Sequence, residues 1–218
     1  MKISTTTELV AKEGWKYLGA AALLFVLSLC FDILPWVFFV ILIFTAYLFR
    51  NPERLPAEDD EMAILAPSDG TIIAIEKVAY NDEKEYIKVR IQKSLLDTCI
   101  LRAPTKMSIK STKRRHGLFL PSNSELSEKI GEQASLACDS KYDEVFIIIN
   151  AGAFARKIEL FKTVGPLKSA QRFGLLVEGN IELYLPLDSR VKVAIGDEVK
   201  AGESVLGYFA HKEDTNDR

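Results

Sequence analysis

The stretch RFGLLVEGNIELYLP, residues 172–186, breaks two apolar runs with Glu178, Gly179 and Asn180, and it contains no Ser, Thr or Cys. Nucleophilic chemistry at this break would need a hydroxyl or thiol there. The nearest hydroxyls along the chain, Ser169 and Ser189, are most of a strand away. Gly179 and Asn180 read instead as a two-residue hairpin loop, because both residue types accept the positive φ angles that such turns require.

Other reactive side chains are few. Cys30, Cys99 and Cys138 are widely spaced with no CxxC pair, and His116 and His211 are the only imidazoles. This pattern argues against a disulfide framework and a structural zinc site, fits a reducing compartment, and leads us to expect no metal. Cys99 lies in an apolar strand and reads as a packed thiol. It would gain a base only if the fold brought it His116 of KSTKRRHG, residues 110–117. Asp69, before Gly70 in APSDG, reads as a turn residue. Lys106, Lys110, Lys113, Arg114 and Arg115 form a local basic cluster that would attract anionic headgroups, at about 1 kcal/mol per residue near a membrane surface. A solvated loop is the preferred reading of the run itself, with headgroup attraction the functional one. Leu118, Phe119 and Leu120 follow directly and are placed to dip into a bilayer interface.

These groups need a scaffold. The chain has 218 residues and a formal net charge of -2, which allows one ordinary domain plus an appendage and leaves no global basic field for nucleic acid. Residues 17–49 carry one charge, Asp32, and one proline, Pro35. The stretch runs too far into aromatics for a cleaved signal peptide. The break at Asp32 and Pro35 leaves halves of about 15 and 17 residues, roughly 22–26 Å as helix, against a hydrocarbon core of about 30 Å. Lys12 and Lys16 precede the segment, and Arg50 and Arg54 follow it. By the positive-inside rule both ends stay cytoplasmic, so a membrane hairpin is the preferred reading. One long tilted span and a buried helical pair are the alternatives.

After the linker, NPERLPAEDDE, the pattern becomes short period-two runs: MAILA, TIIAIEKV, YIKVRIQ, EVFIIIN, KIELF, FGLLV, IELYL and VKVAI. They predict a mainly β domain, a compact barrel or sandwich. One helix is expected over 124–136, capped at Ser124. VKVAIGDEVKAGESVLGYF, 191–209, resembles the hammerhead of biotinyl and lipoyl domains, with 66–75 as its partner segment. No Met-Lys-Met carrier lysine is present. The expected organisation is a membrane-anchoring segment over 1–50, a linker over 51–62, a β domain over 63–210 and a polar tail over 211–218.

Five ordered blocks, YLFRNPER, APSDGTIIAIEKV, SLLDTCILRAP, INAGAFARKI and RFGLLVEGNIELYLP, together resemble the short bacterial and archaeal phosphatidylserine decarboxylase proenzymes over roughly residues 47–207. The resemblance implies a membrane-bound carboxy-lyase that makes its own cofactor. In that family a serine after a glycine cleaves the chain and becomes a pyruvoyl group, whose ketone forms a Schiff base with phosphatidylserine and accepts electrons during decarboxylation. An aspartate and a histidine assist the cleavage. Asp69 matches the aspartate, whereas Cys99 stands at the histidine position and Leu101 at the neighbouring asparagine. Gly179 or Asn180 falls at the serine, depending on the alignment of the glycine. No pyruvoyl cofactor is therefore expected.

Two readings follow from the resemblance. One is an unprocessed, catalytically degenerate homologue in phospholipid metabolism at the inner membrane, with its globular domain on the cytoplasmic side. Its partners would be membrane phospholipid, another lipid enzyme or a second copy of itself. The other is an active decarboxylase that uses a non-standard residue or an intact partner subunit.

Overall fold

The computed structural model describes residues 14–210 apart from 53, 55, 58, 59, 81–83, 123 and 156. Lys12, His211 and the expected tail over 211–218 lie outside the described residues. The chain divides into two compact units, Met1–Glu53 and Arg54–Arg218.

In the first unit, Pro35 cannot continue a helix from its N-terminal side but suits the first position of a new one. Helix α1, Trp15–Phe31, accordingly ends before Asp32, and α2, Pro35–Leu48, begins at the proline. Asp32 and Leu34 both take left-handed backbone angles, φ 52° and 41°, to reverse the chain. Phe25 of α1 meets Phe39 of α2 with ring centroids 5.5 Å apart, and Tyr17 stacks on Phe49 at 5.3 Å. The two helices therefore run antiparallel. Most of their large apolar side chains face outward, Leu23, Phe31, Trp36 and Ile43 among them. Among the described residues, no helix is long and apolar enough to cross a membrane.

The second unit is mainly β. Its elements in order are β1 (Ala63–Leu65), β2 (Gly70–Tyr80), β3 (Lys84–Lys93), β4 (Ile100–Arg102), β5 (Met107–Arg115), α3 (Glu125–Ile130), β6 (Gln133–Ser140), β7 (Glu144–Ala151), β8 (Glu159–Leu160), β9 (Gly165–Leu167), β10 (Arg172–Leu175), β11 (Gly179–Pro186), β12 (Arg190–Val191), β13 (Glu198–Val199) and β14 (Val205–Tyr208). An eight-stranded sheet has the order β13-β2-β3-β11-β7-β6-β5-β9, and two three-stranded sheets have the orders β4-β10-β8 and β1-β14-β12. The large sheet is open rather than a closed barrel. Its end strands, β13 and β9, are only two and three residues long and do not pair with each other. The expected partner segment does meet the C-terminal region: Thr71 pairs with Glu198, and the Gly202 N–H donates to the Ala66 carbonyl at 2.9 Å.

Two local expectations are corrected. The helix predicted over 124–136 stops at Ile130, and Gln133–Ser140 is a strand because Ala134, Leu136 and Cys138 alternate into the core. Ser124 makes no side-chain capping bond. Nor do β10 and β11 form a hairpin. β10 pairs with β4 and β8, β11 pairs with β3 and β7, and residues 176–178 cross from one sheet to the other. β11 is buried along its whole length, which suits a central strand.

Ile64, Ile72, Val89, Ile91, Leu136, Ile147, Ile149, Phe173, Ile181 and Leu183 interleave in one core. Cys138 belongs to it, and burial pushes its thiol up to about 12. The thiolate is the reactive form and Cys99 is shielded by burial, so N-ethylmaleimide at neutral pH should leave Cys99 and Cys138 unmodified in the folded protein. Mass spectrometry after denaturation should then show both labelled.

Candidate functional site

Antiparallel pairing brings the ends of five neighbouring strands to one edge of the large sheet. Gly179 is in register with Lys93 of β3 and Ala151 of β7, while Asn180 lies between Gln92 and Asn150. β6 and β5 reach the same edge through Gln133, opposite Arg115. Asp69 immediately precedes β2, and the Leu176 N–H donates to the Cys99 carbonyl at 2.8 Å. Asp69, Cys99, Gly179 and Asn180 therefore occupy one end of the fold.

Asp69 is more than a turn residue. It is buried, and its carboxylate accepts two hydrogen bonds from Arg54, through Nη1 to Oδ1 and through Nη2 to Oδ2, the latter at 2.7 Å. The Ala201 N–H adds a bond to Oδ1 at 2.8 Å, and the Thr98 N–H approaches Oδ2 at 3.4 Å. Burial by itself would raise the carboxyl, yet the Arg54 and Ala201 hydrogen bonds and the charges of Arg54 and Lys93 outweigh it and hold it below the usual carboxylate range. Arg54 moves the opposite way: burial would lower it, but Asp69 raises it. This residue of the expected linker thus clamps Asp69.

Lys93 is 1% exposed and donates from Nζ to the Thr98 carbonyl at 2.7 Å. Its signal lay in the alternation of YIKVRIQK, which puts Lys93 on the same face as Ile87, Val89 and Ile91. A lysine so placed must find an acceptor inside the protein.

Cys99 is buried, whereas the His116 side chain is 83% exposed and faces Glu132, with Nδ1 3.3 Å from Oε2. The fold does not bring His116 to Cys99. The start of β11 is buried at Gly179 and Asn180. Gly179 has φ +150°, and a Cβ there would overlap the Asn150 carbonyl oxygen, so no serine fits at this position. Asn180 is 3% exposed and donates from Nδ2 to the Ser122 carbonyl at 2.6 Å, while its Oδ1 is buried without a partner. Glu178 lies against Gly152, where any side chain would collide with its carboxylate. It accepts from the Ser122 hydroxyl and the Phe154 N–H, both at 3.0 Å. Ser122 is 56 residues from Glu178 along the chain, and no local pattern announces that contact. A pyruvoyl group does not fit these residues, since neither 179 nor 180 carries the hydroxyl from which it is made.

The expected lipid-facing residues separate. Lys106 and Lys110 lie towards the opposite end of β5, and Lys110 sits between Asp139 and Glu144 at 3.3 and 3.2 Å. Lys113, Arg114, Arg115, Leu118 and Phe119 lie at or beyond the end of β5 that carries Asn180's neighbours.

The Arg54–Asp69 pair is nearly buried, with side chains 11% and 8% exposed, and removal of one partner strands the other. Asp69→Asn should lower the unfolding free energy at pH 7 by about 3 kcal/mol, read from denaturant titration of the full chain. Because the folded carboxyl titrates below its unfolded value, the pair contributes fully above about pH 4 and loses its contribution as the pH falls further. The gap between wild type and Asp69→Asn should narrow over that acidic range and stay constant from pH 5 to 7.

The phosphatidylserine decarboxylase family model matches residues 41–207. The phosphatidylserine decarboxylase proenzyme of Desulfotalea psychrophila is 33% identical over 207 residues, covering 92% of this chain and 96% of the relative. The proenzyme of Geotalea daltonii is 31% identical over 208 residues, covering 91% and 95%. The chain belongs to the phosphatidylserine decarboxylase family.

Proposed function

We propose that this chain is an unprocessed member of its family that acts in phospholipid metabolism by binding lipid or another lipid enzyme, without a pyruvoyl cofactor. The observation that carries the reading is the closed start of β11. Gly179 has no room for a side chain, Asn180 is bonded to Ser122, and neither offers a hydroxyl. Two further features support it. Asp69 is committed to Arg54, and a buried thiol, Cys99, stands at the position the resemblance assigns to histidine. The outward-facing apolar surfaces of α1 and α2 support attachment to the inner membrane. The flanking cations Lys16, Arg50 and Arg54 favour a cytoplasmic globular unit.

Intact-mass measurement of the purified chain tests the reading, followed by hydroxylamine or borohydride probing for a ketone. A single species near 24.4 kDa without a carbonyl adduct is expected. Two chains split near Gly179, with a reactive carbonyl, would overturn it in favour of an active decarboxylase. Asn180→Ser alone should also stay in one piece, because Cys99 remains where the histidine would be.

A further inference from the structure

Near Asn180, the β unit also leaves apolar side chains uncovered. Leu118 and Ile130 are held together, with the Leu118 N–H donating to the Ile130 carbonyl at 3.0 Å and the Glu132 N–H donating to the Leu118 carbonyl at 3.1 Å. Phe154 comes from a different loop and is tied to the same rim, since its N–H and the Ser122 hydroxyl share the Glu178 carboxylate. Leu118, Phe119, Ile130 and Phe154 are all exposed, Leu118 at 58% and Phe154 at 68%. A lone exposed apolar residue is ordinary, but four that meet at one rim, three on loops and Ile130 at the end of α3, mark an interaction surface.

The charges identify the partner. Glu132 is 8% exposed, accepts from the Gly117 N–H at 3.1 Å and faces His116, and Glu178 is occupied by Ser122 and Phe154. Both acids are therefore engaged within the fold. Lys113 and Arg114 are exposed opposite the neutral Ser135 and Ala134, and neither makes an ion pair among the described residues. Protruding apolar tips beside uncompensated cations suit a flat anionic interface, where the tips enter the headgroup layer and the cations meet phosphate.

The geometry points to this rim as a docking surface for an anionic phospholipid bilayer, through Leu118, Phe119, Ile130 and Phe154 with Lys113 and Arg114 beside them. The inference rests on the membrane attachment proposed above and adds which face of the β unit meets the lipid. Docking in this way would bring headgroups to the Ser122–Asn180 end of the sheet.

Spin labels on Phe119→Cys and Phe154→Cys test it in the full chain, in a Cys30→Ser background that keeps the buried Cys99 and Cys138. Lys141→Cys, in the turn between β6 and β7, serves as the control. In floated vesicles containing phosphatidylglycerol, the labels at 119 and 154 should gain collisions with oxygen and lose most collisions with a water-soluble nickel relaxant, while the label at 141 should not. Lys113→Gln with Arg114→Gln, or vesicles of phosphatidylcholine alone, should abolish the shift. If the chain floats but 119 and 154 stay as wet as 141, the docking surface fails and the anchor stands. Equal insertion into both lipids would overturn the anionic partner. Spin–spin broadening without lipid contact would overturn the proposal in favour of a second copy of the chain. A chain that stays in the supernatant would overturn the membrane attachment as well.

Discussion

β11 is hydrogen-bonded on both sides from its first residue. Gly179 begins the strand beneath the Asn150 carbonyl, and Asn180 continues it between Gln92 and Asn150. A strand paired on two sides has little freedom to expose a carbonyl to attack, and no Ser, Thr or Cys lies within this one. Residues 176–178 carry the chain from the small sheet to the large one. Glu178, at the end of that crossover, gathers the Ser122 and Phe154 loops around it. The shape of this end of the molecule follows from the closed strand.

The buried ions nearby tie separate segments together. An aspartate used in proton transfer needs a partner that can exchange protons, whereas a guanidinium remains charged at any ordinary pH. Bonded to Arg54, the Ala201 N–H and, more weakly, the Thr98 N–H, Asp69 is an anion that ties together residues far apart in sequence. Lys93 contributes a second buried positive charge anchored on Thr98. An ionic cluster of this kind favours one arrangement of its segments over others, because any arrangement that separates the charges leaves one buried and unpaired. Asp69 thus braces this end of the fold.

Much of this was legible in the chain. The break at Asp32 and Pro35, the short period-two runs and the five ordered family blocks are local or nearly local signals, and they carry the helix pair, the β character and the family. That no hydroxyl or thiol stands at Gly179–Asn180 could be read directly. The hairpin assigned to the same two residues was wrong. Gly and Asn suit a turn, but the fully buried IELYLP had more apolar surface than an edge hairpin would cover, and it went to the centre of the sheet. The helix expected over 124–136 failed similarly: from Ala134 onward, alternation into the core outweighed helical pattern.

The sequence by itself determined what chemistry was possible, because side-chain identity sets which atoms can act as nucleophile, base or ligand. It shows no Ser, Thr or Cys between Arg172 and Pro186, and a cysteine rather than a histidine in DTCILRAP. Only the tertiary structure decided what the remaining groups do. Arg54 meets Asp69 across 15 residues, Ala201 meets Asp69 across 132, and Ser122 meets Asn180 across 58. Antiparallel register brings such distant residues together, and no local propensity encodes the partner that a strand end will meet.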